Sequence, residues 1–60
     1  MERLKMLRIK NNLSVKEMAE RLQVSQWMYY KIESGARRPN YDFMARTKKE
    51  FNCSVDEIFF

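Results

Sequence analysis

The sequence has no histidine, and only one cysteine, one glycine and one proline in sixty residues. Without a second thiol, Cys53 can close no internal disulfide, and without histidine it cannot begin a four-ligand zinc site. The missing imidazole, and the lack of a pair of acids spaced for a concave site, argue against an enzyme, and no cofactor or metal is expected. No apolar run approaches the roughly 20 residues of a membrane span. The opening Met1-Glu2-Arg3-Leu4-Lys5 is charged and amphipathic, unlike a secretory signal. A lone free thiol fits a reducing cytoplasm. A chain this short buries only about 60% of the surface its unfolded form exposes. Packed helices, helped by a second copy of the chain, are the remaining way to hold it together.

Twelve Lys/Arg against eight Asp/Glu give a net charge of +4, and the excess is uneven. Residues 1–38 carry nine basic and four acidic side chains, a net +5, whereas residues 39–60 carry three and four, a net −1. A basic N-terminal portion on a chain with a pI near 9.5 points to a polyanionic partner, nucleic acid foremost.

Gly35 and Pro39 lie four residues apart, and the rest of the chain has helical periodicity interrupted by cap residues. There is no repeat, low-complexity stretch or linker, so residues 1–60 read as one all-α domain of five short helices. From about Arg3 to Asn11, Leu4 and Leu7 share a face with Arg8 at its edge. Ser14-Val15-Lys16-Glu17 reads as a capping box. In the helix it opens, Val15, Met18, Ala19 and Leu22 fall within about 100° of arc. Ser25 is the next good N-cap. The third helix, about Gln26 to Ser34, turns Met28, Tyr29 and Ile32 to one side and Gln26, Trp27, Tyr30, Lys31 and Ser34 to the other. Gly35 suits its C′ position. Asn40 caps a fourth helix, about Tyr41 to Phe51, in which Tyr41, Met44, Ala45 and Phe51 are expected inward and Asn52 is the stop. Ser54-Val55-Asp56-Glu57 repeats the capping box before a last turn with Ile58 and Phe59.

Two helices of about eight residues joined by a short turn, over about residues 15–34, form a helix-turn-helix, whose second helix lies in the DNA major groove. Ala19, Leu22, Val24 and Ile32 are spaced to fill the angle between them, where a side chain larger than Ala19 would push the helices apart. The runs Leu13-Ser14, Met18-Ala19-Glu20-Arg21-Leu22-Gln23-Val24-Ser25, Lys31-Ile32-Glu33-Ser34-Gly35, Arg38-Pro39 and Ser54-Val55-Asp56-Glu57-Ile58-Phe59 resemble the Cro and phage-repressor family, also called the xenobiotic-response-element family. The resemblance covers essentially the whole chain. It implies a lambda-repressor-like, five-helix DNA-binding domain of bacterial or phage origin, acting in the cytoplasm.

The resemblance implies base contacts from the start of the third helix and one turn later, at Gln26, Trp27, Tyr30 and Lys31. Gln26 can pair with adenine and Lys31 with guanine, although both residues equally suit a solvated helix surface. Trp27 either packs on a thymine methyl or sugar, or covers the thin core beside Tyr30. Phosphate contacts are implied at Val15, Lys16, Ser25, Arg37 and Arg38, partly through helix N-terminal amides. Arg8 and Glu33 stand where the family has a structural ion pair. Several residues depart from the family pattern. Val15 replaces a phosphate-contacting Gln, Gln23 stands where Gly is common, Tyr29 is large for its core position, and Lys48 enters the apolar stripe of the fourth helix, where it is expected to snorkel.

Phe43, Thr47, Phe59 and Phe60 exceed what so small a core can absorb, which predicts a homodimer through the fourth helix and C-terminal turn, with Phe59 also folding back on its own core. Two recognition helices would then sit about 34 Å apart on palindromic double-stranded DNA. The expected function is a sequence-specific transcriptional regulator, a repressor in the first instance, with no small-molecule effector or membrane partner. The alternative is a protein-interaction module of the same fold, an antitoxin-like partner whose aromatic third helix binds protein.

Overall fold

In a computed structural model, which describes residues 1–60, the chain forms five helices and no strand. These are α1 (Glu2–Lys10), α2 (Val15–Arg21), α3 (Gln26–Glu33), α4 (Tyr41–Phe51) and α5 (Val55–Phe59). The last four are each opened by a side-chain cap. The Ser14 hydroxyl accepts the Glu17 amide at 3.1 Å while the Glu17 carboxylate accepts the Ser14 amide at 2.9 Å, completing the box. Ser25 accepts the Met28 amide, Asn40 the Phe43 amide, and Ser54 the Glu57 amide. Each such cap is worth about 1 kcal/mol. In helices this short it also fixes the residue at which the first turn begins.

Four residues with positive φ separate these elements: Asn12, Gln23, Gly35 and Asn52. Gly35, at φ +86°, follows α3 in the expected C′ place. Gln23, at φ +58°, stands in the turn between α2 and α3, a conformation that glycine adopts without the Cβ crowding other residues meet.

Leu4, Leu13, Met18, Ala19, Leu22, Tyr29, Ile32 and Phe43 form the core, drawn from α1, the turn after it, α2, α3 and α4. Leu7, Val15, Val24, Met28, Phe51, Ile58 and Phe59 pack around it half-buried. The small Ala19, 2% exposed, lies between its larger neighbours in the angle of α2 and α3.

The fourth helix is rotated from its expected orientation. Phe43 and Thr47 point inward, Met44 and Phe51 flank them, and Tyr41 and Ala45 face solvent. Lys48 is likewise exposed and enters no apolar stripe. The physical reason lies in Thr47, whose hydroxyl donates to the Phe43 carbonyl at 2.8 Å. With its polar atom satisfied inside its own helix, the residue is buried like an aliphatic one. Phe43 and Thr47, expected at a dimer interface, are therefore spent within the chain's own core and offer no surface to a second copy.

Candidate nucleic-acid interface

Ser25 sets the start of α3, and from that start the 3.6-residue period decides what faces out. Tyr29 and Ile32 are buried and anchor the helix. Gln26, Trp27 and Tyr30 are exposed on the opposite side, and Lys31 is half-buried at its edge. The indole of Trp27 is 67% exposed and stands apart from the residues that pack on the core, so it does not cover the core. The Lys31 ammonium lies over the Trp27 ring, 4.8 Å from its centroid. This i,i+4 cation–π contact holds one positive charge and one flat apolar surface together on the outer face.

On one flank, the N-terminus of α2 presents amides that no intrahelical carbonyl can accept. The Glu17 and Met18 amides are taken by Ser14, which leaves those of Val15 and Lys16 free to meet an anion. The Val15 side chain packs against the core, so this residue offers only its backbone, while Lys16 is exposed beside it. Ser25 is exposed as well, with its hydroxyl oxygen engaged in the α3 cap.

On the other flank, the loop after α3 is folded back by a bond from the Arg37 amide to the Lys31 carbonyl at 3.1 Å. Arg37 and Arg38 are exposed there. Together with Gln23, Asn40 and Arg46 they line a cleft of about 270 Å³. Arg46 has no place in the sequence reading. From α4 its guanidinium donates to the Leu22 and Gln23 carbonyls at 3.3 and 3.2 Å. It thereby clamps the turn that sets the angle between α2 and α3. The signal that could have found it is Gln23 itself, since a turn through positive φ leaves carbonyls in need of a donor.

Behind α3, Arg8 and Glu33 are joined by two bonds, Nε to Oε2 at 2.9 Å and Nη2 to Oε1 at 3.2 Å. Arg8 also donates to the Leu13 carbonyl at 2.9 Å, and the Tyr29 hydroxyl donates to the Glu33 carboxylate. Burial by itself would raise the pKa of the Glu33 carboxyl. The bonds from Arg8 and Tyr29, with the guanidinium charge, outweigh that and hold it below the usual carboxylate range. The Tyr29 phenol is pushed up, first by desolvation and then by its carboxylate partner. This network ties α1 to α3 and fixes the rotation of α3 about its axis, which in turn fixes the direction of Trp27 and Lys31.

Of the two terminal aromatics, Phe59 is half-buried with its ring edge-on to Phe43 at 6.1 Å, and Phe60 is 80% exposed. No helix is long and apolar enough to cross a membrane.

A helix-turn-helix family model matches residues 4–58. The HTH-type transcriptional activator BcrR of Enterococcus faecalis is 37% identical over 57 residues, covering 95% of this chain and 28% of that protein. The chain thus spans little more than a quarter of this relative's length, and no solved structure matches it. With two short capped helices meeting over Ala19, and α3 turned outward along the matched region, the chain belongs to the helix-turn-helix family of the Cro and phage-repressor type.

Proposed function

We propose that this chain is a sequence-specific DNA-binding transcription regulator, or the DNA-reading part of one, and that α3 enters the major groove. The observation that carries this reading is the division of α3. Tyr29 and Ile32 lock the helix to the core while Gln26, Trp27 and Tyr30 stand outward, with Lys31 half-buried at the edge of their face. In the groove, Gln26 would read adenine and Lys31 guanine O6/N7. The free amides of Val15 and Lys16, the Lys16 ammonium, Ser25 and the Arg37–Arg38 loop would hold phosphates on either side.

A homodimer on a palindromic site is the assembly this reading favours, with the exposed Phe60 and half-buried Phe59 as its apolar contacts. A groove-reading helix makes the same contacts whether the outcome is repression or activation. The relative carries the name of an activator, and the chain's own contacts are compatible with either sense. The exposed pair Trp27 and Tyr30 favours, as a second reading, a helix-turn-helix whose third helix binds protein.

Titration of duplex DNA at several salt concentrations separates the two. Groove binding makes log affinity fall linearly with log salt, with a slope near −0.9 for each phosphate neutralised. Lys31→Ala should relax preference at one base pair and weaken binding by about 1–3 kcal/mol, whereas Arg37→Ala should weaken all sequences alike. Absence of binding even at low salt overturns the DNA reading in favour of the protein partner.

A further inference from the structure

Trp27 is the chain's single tryptophan, and its indole lies two-thirds exposed on the outer face of α3 with a lysine ammonium across its ring. An indole left this open loses the favourable burial that its area offers, unless a partner supplies the other wall. Taking α3 as the groove-entering helix, as proposed above, limits what that wall can be. The base edges of the major groove are hydrogen-bond donors and acceptors with one apolar exception, the 5-methyl group of thymine. The ammonium of Lys31 has the opposite requirement, and guanine O6 and N7 are the groove's densest pair of acceptors. The ammonium is held 4.8 Å from the ring centroid, more than the rise of about 3.4 Å between successive bases on one strand and less than twice it, which suits neighbouring bases and not a single one.

We infer that Trp27 and Lys31 form one reading unit for a guanine next to a 5-methylated pyrimidine. Trp27 takes the methyl group on its ring and, through the cation–π contact, positions the Lys31 ammonium for the neighbouring guanine. Lys31 depends on Trp27 more than Trp27 depends on Lys31. A free lysine on an exposed helix samples many rotamers, and the ring beneath it removes most of that freedom before binding.

The test begins with duplexes selected by the protein from a random pool. In the selected duplex, each thymine is replaced singly by deoxyuridine, and each guanine by 7-deazaguanine. Affinity is followed by the emission of Trp27 and, for variants lacking it, by the anisotropy of labelled DNA. One deoxyuridine in each half-site should weaken binding about fourfold, the ratio that burying a single methyl group corresponds to. 5-Methylcytosine in place of that thymine should bind more tightly than cytosine there by a similar factor. The sensitive 7-deazaguanine should lie at the adjacent step. Trp27→Ala, at a position outside the core, should abolish the methyl effect and shrink the 7-deazaguanine effect, while Trp27→Phe should keep part of both. Lys31→Ala should abolish the guanine effect and leave the methyl effect.

If no deoxyuridine changes the affinity of a specifically selected duplex, the reading unit is wrong and the DNA-binding function stands. The same holds if the sensitive thymine and guanine are not neighbours. If no duplex is selected at all, both the unit and the DNA reading fall.

Discussion

Glu33 accepts bonds from Arg8 and Tyr29 in the angle between α1 and α3, and its carboxylate is the only negative charge in that network. Because its folded pKa is depressed, it contributes stability in full above its unfolded value, near 4.5, and that contribution is lost as pH falls through the folded value. Thermal unfolding followed from pH 7 to pH 3 should show the wild type losing stability through this window more steeply than Glu33→Gln. Glu17, held down by the Ser14 amide, titrates in both proteins, so the difference between the two profiles isolates Glu33. Equal slopes would show that the pair contributes nothing to folding. Gln23 makes a second residue-level case. Gln23→Gly relieves a positive φ and should raise stability by up to about 1 kcal/mol, or roughly 4–8 °C in melting temperature for a domain of this size. A fall in melting temperature would place the relief elsewhere, for instance in the Arg46 bonds to this turn. At this scale the sequence was uneven in what it disclosed. The cap serines were legible because each is a local pattern, and the Arg8–Glu33 pair, 25 residues apart, was legible through the family resemblance. The Tyr29 hydroxyl was not, although Glu33 lies one turn on, because Tyr29 was read as a core residue alone, and Arg46 was not, because its carbonyl partners lie across the fold.

Among the helices, α2 and α3 were legible to within a residue, since a capping box and a Ser cap mark their starts and Gly35 marks the end of α3. In α4 the same reasoning found the boundaries and misjudged the face. Phe43, Thr47, Phe51 and Met44 fall within about 100° of arc, as tight a stripe as the expected Tyr41, Met44, Ala45 and Phe51. The expected set counts tyrosine and alanine as core residues and leaves Phe43 and Thr47, with its polar hydroxyl, for an outer contact. The bond from the Thr47 hydroxyl to the Phe43 carbonyl removes the penalty of burying that hydroxyl, and the whole helix turns to bury the phenylalanine. The consequence is measurable. Tyr41→Ala, at a residue 78% exposed, should change stability by no more than about 0.5 kcal/mol. Phe43→Ala, at a residue 2% exposed, should cost roughly 3–5 kcal/mol and leave so small a domain largely unfolded at room temperature. Urea titrations of the two variants, followed by circular dichroism, compare them directly. If Tyr41→Ala proves the more damaging, α4 faces the way expected from its sequence.

The molecule measures 23 × 23 × 19 Å between its outermost Cα atoms. Successive major-groove faces on one side of DNA are about 34 Å apart. A single copy is therefore too small to read two of them, so recognition of a palindrome requires two copies. With the Cα extent of each copy smaller than the spacing of the helices it must place, two copies on such a site would meet only at their near edges. With Phe43 and Thr47 in the core, only Phe60 and part of Phe59 remain, of the four side chains expected there, to contribute to such a seam. Two terminal side chains alone would not supply the roughly 1,200 Å² of a stable protein–protein interface. The pairing should therefore form on DNA, where two neighbouring half-sites supply the effective concentration that the contact lacks. Sedimentation at micromolar concentration should give a mass near the 7.4 kDa of one chain, while titration of a palindromic duplex should be cooperative. Inserting about five base pairs between the half-sites, half a helical turn, puts the second copy on the opposite side of the duplex and should remove the cooperativity while each half-site still binds. Phe60→Ser should do the same on the unaltered duplex, with affinity for an isolated half-site unchanged. Cooperativity that survives the insertion would mean that the copies do not meet through this seam, and a dimer mass in the absence of DNA would mean that the contact is larger than Phe59 and Phe60 can make it.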